Sequence, residues 1–364
     1  MLKRSHTVFV AFLIMVSLAG TALAAGNTFA VKDMVGRSVS FSKHPRRIIC
    51  LSPGTLRLIV YLQAHDRLFG IENIERRFPK TRPYFMANPQ LGNLPSVGPG
   101  GPNSINKEPD YEKILALNPD VIFISYMEAG LADRVQQKAG IPVFVITYGP
   151  FGTFNHKVLD SITAVGQVLG KEKRATEVVD FIQATRRDLL TRVDGVSEHQ
   201  KSRVYIGGIG FKGTHGIEST ETVYAPFDWV AARNAAGQGG KTGHLFVDKE
   251  RLLAMNPDII FIDGGGGNLV LQDLQKKPDF YQGLKAFRNK QVYTLHSFNW
   301  YMTNIGTVIT DAYAVGKRLY PKRFKDVDLT DLANGVYAFL VGHPVYTDMV
   351  KIHGPLGHVL PVLQ

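Results

Sequence analysis

Ten residues are written almost twice in this 364-residue chain. Leu115-Ala116-Leu117-Asn118-Pro119-Asp120-Val121-Ile122-Phe123-Ile124 returns as Leu253-Ala254-Met255-Asn256-Pro257-Asp258-Ile259-Ile260-Phe261-Ile262, with Glu112 and Lys113 matched upstream by Glu250 and Arg251. Each copy reads as a helix end, a stop at Asn-Pro, and then an unbroken apolar run of the kind a strand buried on both faces requires. A repeated strand and helix pattern predicts two similar α/β lobes rather than one long domain, and two matching lobes offer a groove between them for a ligand.

The first residues stand apart. Lys3 and Arg4 precede an apolar run from Val8 to Ala19, and Ala22-Leu23-Ala24 offers small residues for cleavage before Ala25. This is the pattern of a secretory signal peptide, and the apolar run is short for the alternative, an uncleaved membrane anchor. The only cysteine, Cys50, lies in the apolar run Ile48–Leu51, so no intramolecular disulfide and no lipid-bearing cysteine near the cleavage site is expected. Export without a lipid anchor predicts a periplasmic protein. The formal charge is +11, and loss of Lys3 and Arg4 lowers it by two to +9. A basic surface favours anionic partners, but no lysine or arginine cluster interleaved with aromatics suggests nucleic acid.

The mature chain opens on a hairpin between Thr28 and Phe41, turning at Asp33-Met34-Val35-Gly36-Arg37, followed by a buried strand at Ile48–Leu51 and a helix from Thr55 to Gln63. Residues 88–110 are rich in proline, glycine and asparagine and predict a long irregular loop. After the first repeat come a helix from Gly130 to Ala139 and a strand ending at Ile146. Residues 154–193 differ: two helical patterns meet at Gly170-Lys171 with no strand signal, and the second, from Glu172 to Val193, would reach about 33 Å, long enough to brace two lobes. A strand at Arg203–Ile206 starts the order again. The expected division is a signal peptide over 1–24, an N-terminal lobe over 25–153, a helical connection over 154–195, and a C-terminal lobe with its tail over 196–364. The fold class is α/β, two doubly wound lobes with mainly parallel sheets joined by one bridging helix.

At this point the chain resembles the periplasmic substrate-binding proteins of ABC importers for ferric siderophores, cobalamin and haem. The resemblance rests on Asp33-Met34-Val35-Gly36-Arg37-Ser38-Val39, Pro45-Arg46-Arg47-Ile48, Leu51-Ser52-Pro53, the two Asn-Pro-Asp copies, Asn299-Trp300-Tyr301, and Leu319-Tyr320-Pro321-Lys322-Arg323-Phe324. It implies a ligand held between the lobes, little hinge motion, and delivery to the permease subunits of an ABC importer. It also implies an acidic docking residue in the first helix of each lobe. Arg57 stands at the first-lobe position; Glu72 or Glu75 is then the expected substitute, and Asp228, beside Trp229, the second-lobe candidate.

Ligands of doubly wound lobes meet the loops at the carboxyl ends of the strands. In lobe one that rule selects Ser52, Pro53, Gly54, Tyr126, Met127, Glu128, Tyr148 and Phe151; in lobe two it selects Phe211, Lys212, His215, Gly264, Asn268, His296, Asn299, Trp300 and Tyr301. Aromatic rings can stack on a flat or catecholate ligand and lysine can neutralise its charge. Gly208, Gly210 and Gly213 have dinucleotide-fingerprint spacing but open no clear helix, and Gly264–Gly267 reads as a loop or as backbone close to a ligand. His215, His244 and His296 share no metal-ligand spacing, although one histidine or tyrosine on haem iron stays open. No Gly-x-Ser-x-Gly elbow or His-Glu-x-x-His helix is present. The sequence therefore points to a monomeric binding protein without a resident cofactor, whose ligand is an iron chelate such as a ferric siderophore, with cobalamin or haem as the alternative. A periplasmic enzyme on a chelatase-like two-lobe fold is the alternative of another class.

Overall fold

The doubled Asn-Pro-Asp sequence forms the same small device in each half. In the computed structural model, which describes residues 28–151, 154–239 and 242–363, Asn118 and Asn256 take left-handed φ of 44° and 38°. Such a conformation ends a helix, and asparagine tolerates it better than most residues. The aspartate two residues on then grips the start of a neighbouring strand. Asp120 Oδ2 accepts the backbone N–H groups of Arg46 and Arg47 at 2.7 and 2.9 Å, while its own N–H donates to Arg47 O. Asp258 does the same to Arg203, accepting its N–H at 2.7 Å and donating to its carbonyl at 2.8 Å. Replacing Asp258 by alanine orphans that N–H and removes the 2.6 Å ion pair with Lys285. The expected loss is about 1–3 kcal/mol, read as a lower melting temperature; an unchanged melt would show that the grip contributes nothing.

The signal segment and its cleavage before Ala25 lie outside the described residues. Lobe one begins with the hairpin of β1 (Phe29–Lys32) and β2 (Ser38–Phe41). Its turn docks on the sheet through Met34 N to Val145 O. Then come β3 (Ile48–Leu51), β4 (Leu68–Gly70), β5 (Val121–Ser125) and β6 (Val143–Ile146), all parallel in the order β4-β3-β5-β6. Lobe two supplies β7 (Arg203–Gly207), β8 (Ser219–Glu221), β9 (Arg233–Asn234), β10 (His244–Phe246), β11 (Ile259–Asp263) and β12 (Val292–Leu295). Its parallel sheet runs β12-β11-β7-β9, and β8 pairs with β10 in a separate antiparallel ribbon. Counted from the first strand of each sheet, both orders are 2-1-3-4. The repeat is thus one of topology as well as of letters, and each lobe has its crossover reversal between the first and third strands.

Alternation along these strands decides where the core lies. Ile48 and Cys50 of β3, and Val121 and Phe123 of β5, face one large cluster, while Ile49, Leu51, Ile122 and Ile124 face a smaller one on the other side. In lobe two Phe261 joins that same large cluster, and Ile260 and Ile262 a third. Each sheet therefore turns one face to a core shared by both lobes.

The bridging helix, Glu172–Arg192, is 21 residues long. Near its start Arg174 donates to Tyr61 O in lobe one at 3.0 Å; near its end Arg192 pairs with Asp326, and Asp188 accepts from Tyr313 of the helix Ile305–Leu319 in lobe two. The tail contributes helices Leu329–Val341 and Tyr346–His353. Grouped with lobe two by chain position, this tail also packs back on lobe one: Asn88 donates to Val341 O, and His353 Nε2 lies 3.1 Å from Lys80 O. Bridging helix, tail and common core tie the lobes at three places, which resists wide hinge opening.

Candidate functional site

At the carboxyl ends of β3 and β5 the chain turns sharply. Ser52 and Tyr126, each the first residue after its strand, hold φ of 69° and 57°. Such strain persists only where the surroundings fix it. Ser125 Oγ donates to Pro53 O at 2.8 Å, locking the two turns together, and the Ser52 N–H donates to the Glu72 carboxylate. The Tyr126 hydroxyl donates to Gly149 O at 3.0 Å, and its ring stacks on Phe151 with centroids 4.2 Å apart and an interplanar angle of 22°. Phe151 is 58% exposed, so lobe one presents a π face to water.

Lobe two presents a second. Phe211 and His244 stack at 4.2 Å and 6°, and exposed Phe246 meets the edges of His244 and His215 at 4.7 and 4.9 Å. Ser219 gives its single proton to Ile209 O, so the His244 Nε2 that lies 2.7 Å from Ser219 Oγ must carry a hydrogen. Burial, and then His215, hold the His244 pKa below its usual value. Lys212 lies beside the Phe211 ring at 5.6 Å and is exposed. His244 entered the sequence reading only as a metal candidate; its pairing with Phe211 depends on the β8–β10 ribbon, whose three-residue strands carry almost no pattern.

The loops after β7 and β11 touch through their glycines. A Cβ on Gly266 would stand 2.3 Å from His215 O and 2.5 Å from Gly208 Cα. Of the glycines that imitate a nucleotide fingerprint, Gly208 is therefore a packing glycine, needed for backbone to meet backbone, whereas a Cβ on Gly213 would meet nothing within 4 Å.

Several expected positions lie elsewhere. Tyr148 is buried, its hydroxyl donating to Gly54 O at 2.9 Å, and Met127 is core. His296 is buried under the tail with Nε2 2.9 Å from Gly354 O, and burial drives its pKa down to about 4, so it is neither a surface base nor a ligand in the groove. Glu72 and Glu75, expected to face a permease, are 5% and 2% exposed. Glu75 accepts from Tyr84 at 2.6 Å and pairs with Arg82, and Glu72 accepts from Tyr301 at 2.6 Å. A carboxylate sealed by such partners cannot dock a membrane protein. Asp228 remains at the surface, its pKa pushed up to about 6 by partial shielding from water while Arg186 pulls it down. Asn268 is exposed on the first turn of the helix Gly267–Lys276, and Glu128 is exposed at the mouth of lobe one.

Trp300 and Tyr301 do reach across the groove, whereas Asn299 stays within its own loop. The Trp300 ring meets Phe78 at 5.6 Å, Asn299 bridges to Thr303, and Met302 Sδ lies 3.4 Å from the Tyr126 hydroxyl. A cavity of about 150 Å³ beside this crossing is lined by Ser52, Glu72, Gly100, Lys107 and Ile124 among others. A larger one, about 280 Å³, lies at the opposite ends of the strands around Lys43, Asp120 and Pro142, remote from these loops. Among the described residues no group of three or more His, Cys, Asp or Glu converges on a metal site, and no helix is long and apolar enough to cross a membrane.

Residues 48–298, which contain both parallel sheets and the loops at their carboxyl ends up to Phe298, match the periplasmic binding protein family. The chain belongs to that family. Its members bind solutes and do not catalyse reactions, which removes the enzyme alternative. Among relatives of this periplasmic binding protein is the molybdate-binding protein MolA of Haemophilus influenzae, 28% identical over 84% of this chain and 89% of the relative. The structure of MolA with molybdate superposes with a TM-score of 0.68 at 22% identity, covering 87% of this chain and 98% of MolA. The petrobactin-binding protein YclQ of Bacillus subtilis is 21% identical over 72% of this chain and 78% of its own length. A TroA-like periplasmic binding protein, FepB of Veillonella parvula, superposes with a TM-score of 0.64 at 24% identity, covering 86% of this chain and 96% of that one. These likenesses carry the two-lobe α/β fold expected from the repeat.

Proposed function

We propose that this periplasmic binding protein captures an iron chelate, a ferric siderophore, between its lobes in the periplasm and delivers it to the permease of an ABC importer. The observation that carries this reading is the pair of exposed π faces on the two loop sets, Tyr126 with Phe151 and Phe211 with His244. A planar catecholate can stack on either face, and Lys212 supplies a cation beside it. The petrobactin-binding relative supports the same ligand class. The second reading is a tetrahedral metal oxyanion, favoured by the molybdate-binding relative, whose match spans most of both chains. Asp228 is the remaining candidate for contact with a permease.

Two titrations followed by intrinsic fluorescence, one with a ferric catecholate and one with molybdate, separate these readings. Binding of the ferric complex alone supports the chelate; binding of molybdate alone overturns it in favour of the oxyanion. A corrin or haem absorption spectrum in protein purified from its own periplasm overturns both. Phe151→Ala and Phe211→Ala should each weaken chelate binding by about 0.5–1.5 kcal/mol, roughly twofold to tenfold, without lowering the melting temperature. Unchanged affinity in both variants would place the ligand elsewhere.

A further inference from the structure

The most heavily bonded side chain between the lobes is Arg57, which sequence resemblance sets at an acidic docking position. It is fully buried. Its Nε donates to Asn304 Oδ1 at 2.8 Å, Nη1 to Thr303 O at 2.9 Å and Tyr148 Oη at 3.4 Å, and Nη2 to Trp300 O and Tyr301 O at 3.0 and 3.3 Å. A buried guanidinium normally faces a carboxylate. Here its acceptors are three carbonyls, an amide and a phenol, and four of the five belong to one loop of the opposite lobe. That loop is strained, with φ of 50° at Tyr301 and 80° at Met302, a conformation that persists only under outside restraint. A second tie runs beside the first: the Tyr301 hydroxyl donates to Glu72 at 2.6 Å and accepts from the Gly101 N–H at 2.9 Å.

We propose that Arg57 and Glu72 form an inter-lobe latch that grips the loop Trp300–Asn304, fixes the width of the groove, and loosens as Glu72 loses its proton. The latch is a property of the chain whichever ligand the groove takes. Lysine could not replace Arg57, because only the guanidinium fork reaches acceptors on both edges at once. Glu72 faces Tyr301 from lobe two, Glu75 and Arg82 from the segment that follows it, Cys50 on β3, and Lys107, Glu108 and Asp110 across the small cavity. Burial raises its pKa to about 7, against the hydrogen bonds from Tyr301 and Ser52. With the loop withdrawn, water reaches the carboxyl and its pKa falls back toward the usual range. The latched form therefore holds the proton more tightly: its advantage is complete below the ordinary carboxyl pKa and is lost as pH rises through about 7.

The test is an inter-lobe distance, measured without added ligand by spin labels on Gln137→Cys and Gln272→Cys, two exposed helical positions, with Cys50 left unlabelled in the core. Between pH 5 and pH 8.5 the distribution should lengthen and broaden in the otherwise unaltered chain. Glu72→Gln, which keeps an acceptor for Tyr301 but cannot ionise, should stay narrow throughout. Arg57→Met should be broad at every pH, and if it does not fold, Asn304→Ala serves for the same reading. A narrow, pH-independent distribution in the unaltered chain, or one unmoved by loss of Arg57 or Asn304, would overturn the proposal. Because no ligand is used, the latch can fail while the ligand assignment stands, and the reverse.

Discussion

Gly266→Ala should lower stability by about 1–3 kcal/mol and abolish high-affinity ligand binding, whereas Gly267→Ala one residue on should leave both nearly unchanged. The contrast follows from what each added methyl meets. At Gly266 it would stand 2.3 Å from His215 O and 2.5 Å from Gly208 Cα and O, all backbone atoms that no rotamer change can clear; at Gly267 it meets nothing within 4 Å. The clash must therefore be relieved by moving the loop between β7 and β8 away from the β11 loop. That loop carries Phe211, Lys212 and His215, so the π face of lobe two moves with it. Thermal melts and the ferric-catecholate titration read the two effects separately. If Gly266→Ala melts and binds like the parent, these loops do not pack as closely as described.

How much of this was legible beforehand depends on the range of the interaction. The Asn-Pro-Asp copies are local devices: a left-handed asparagine, a proline that cannot continue a helix, and an apolar run, all within ten residues. The buried strands and the two-lobe repeat could be read from them. What the aspartate does could not, since Arg46 and Arg203 lie 74 and 55 residues away. Burial of charge was hidden for the same reason. Glu72 and Glu75 are polar letters in a half-polar segment and Arg57 is the lone charge in an apolar one, and surface placement is the default for such charged residues. Their burial depends on Tyr301, Tyr84 and the loop Trp300–Asn304, the last more than 240 residues from Arg57. His296 was misplaced because the tail that covers it has no strong periodicity, and Tyr148 because a strand end points to a loop without saying which way the ring turns. The aromatic pair on lobe one came through because Tyr126 and Phe151 follow adjacent strands of one sheet.

Asp311→Asn should raise stability at pH 8 and do little at pH 4. Asp311 is fully buried on the helix Ile305–Leu319; Oδ1 accepts the His296 N–H at 3.2 Å, while Oδ2 has no hydrogen-bond partner. Burial, and then the neighbouring Asp263, push its pKa well above the carboxylate range, against the bond from His296. A raised folded-state pKa means a contribution to stability that is complete below the unfolded value and drains away as pH climbs through the folded one. Asparagine keeps the Oδ1 acceptor and removes the charge, so it should gain about 1–3 kcal/mol where Asp311 would otherwise ionise. Asp263 and Glu221, with pKa values raised to about 6 and about 8 chiefly by burial, act in the same direction. His296 opposes them: its depressed pKa favours the fold above the ordinary imidazole value and costs stability as pH falls toward 4. With three raised carboxyls set against one depressed imidazole, the unaltered chain should be most stable near the ordinary carboxyl pKa, at roughly pH 4 to 5, and weaken steadily as pH rises. Melts of both proteins across pH 4 to 8.5 decide the matter, and an Asp311→Asn curve that runs parallel to the parent, or below it at pH 8, would show that Asp311 ionises without cost. The acid is tolerated for its geometry: Asp311 holds the His296 backbone and Asp263 the Gly265 N–H at 2.8 Å, so two buried carboxyls shape the loops at the ends of β12 and β11 that the groove is built from.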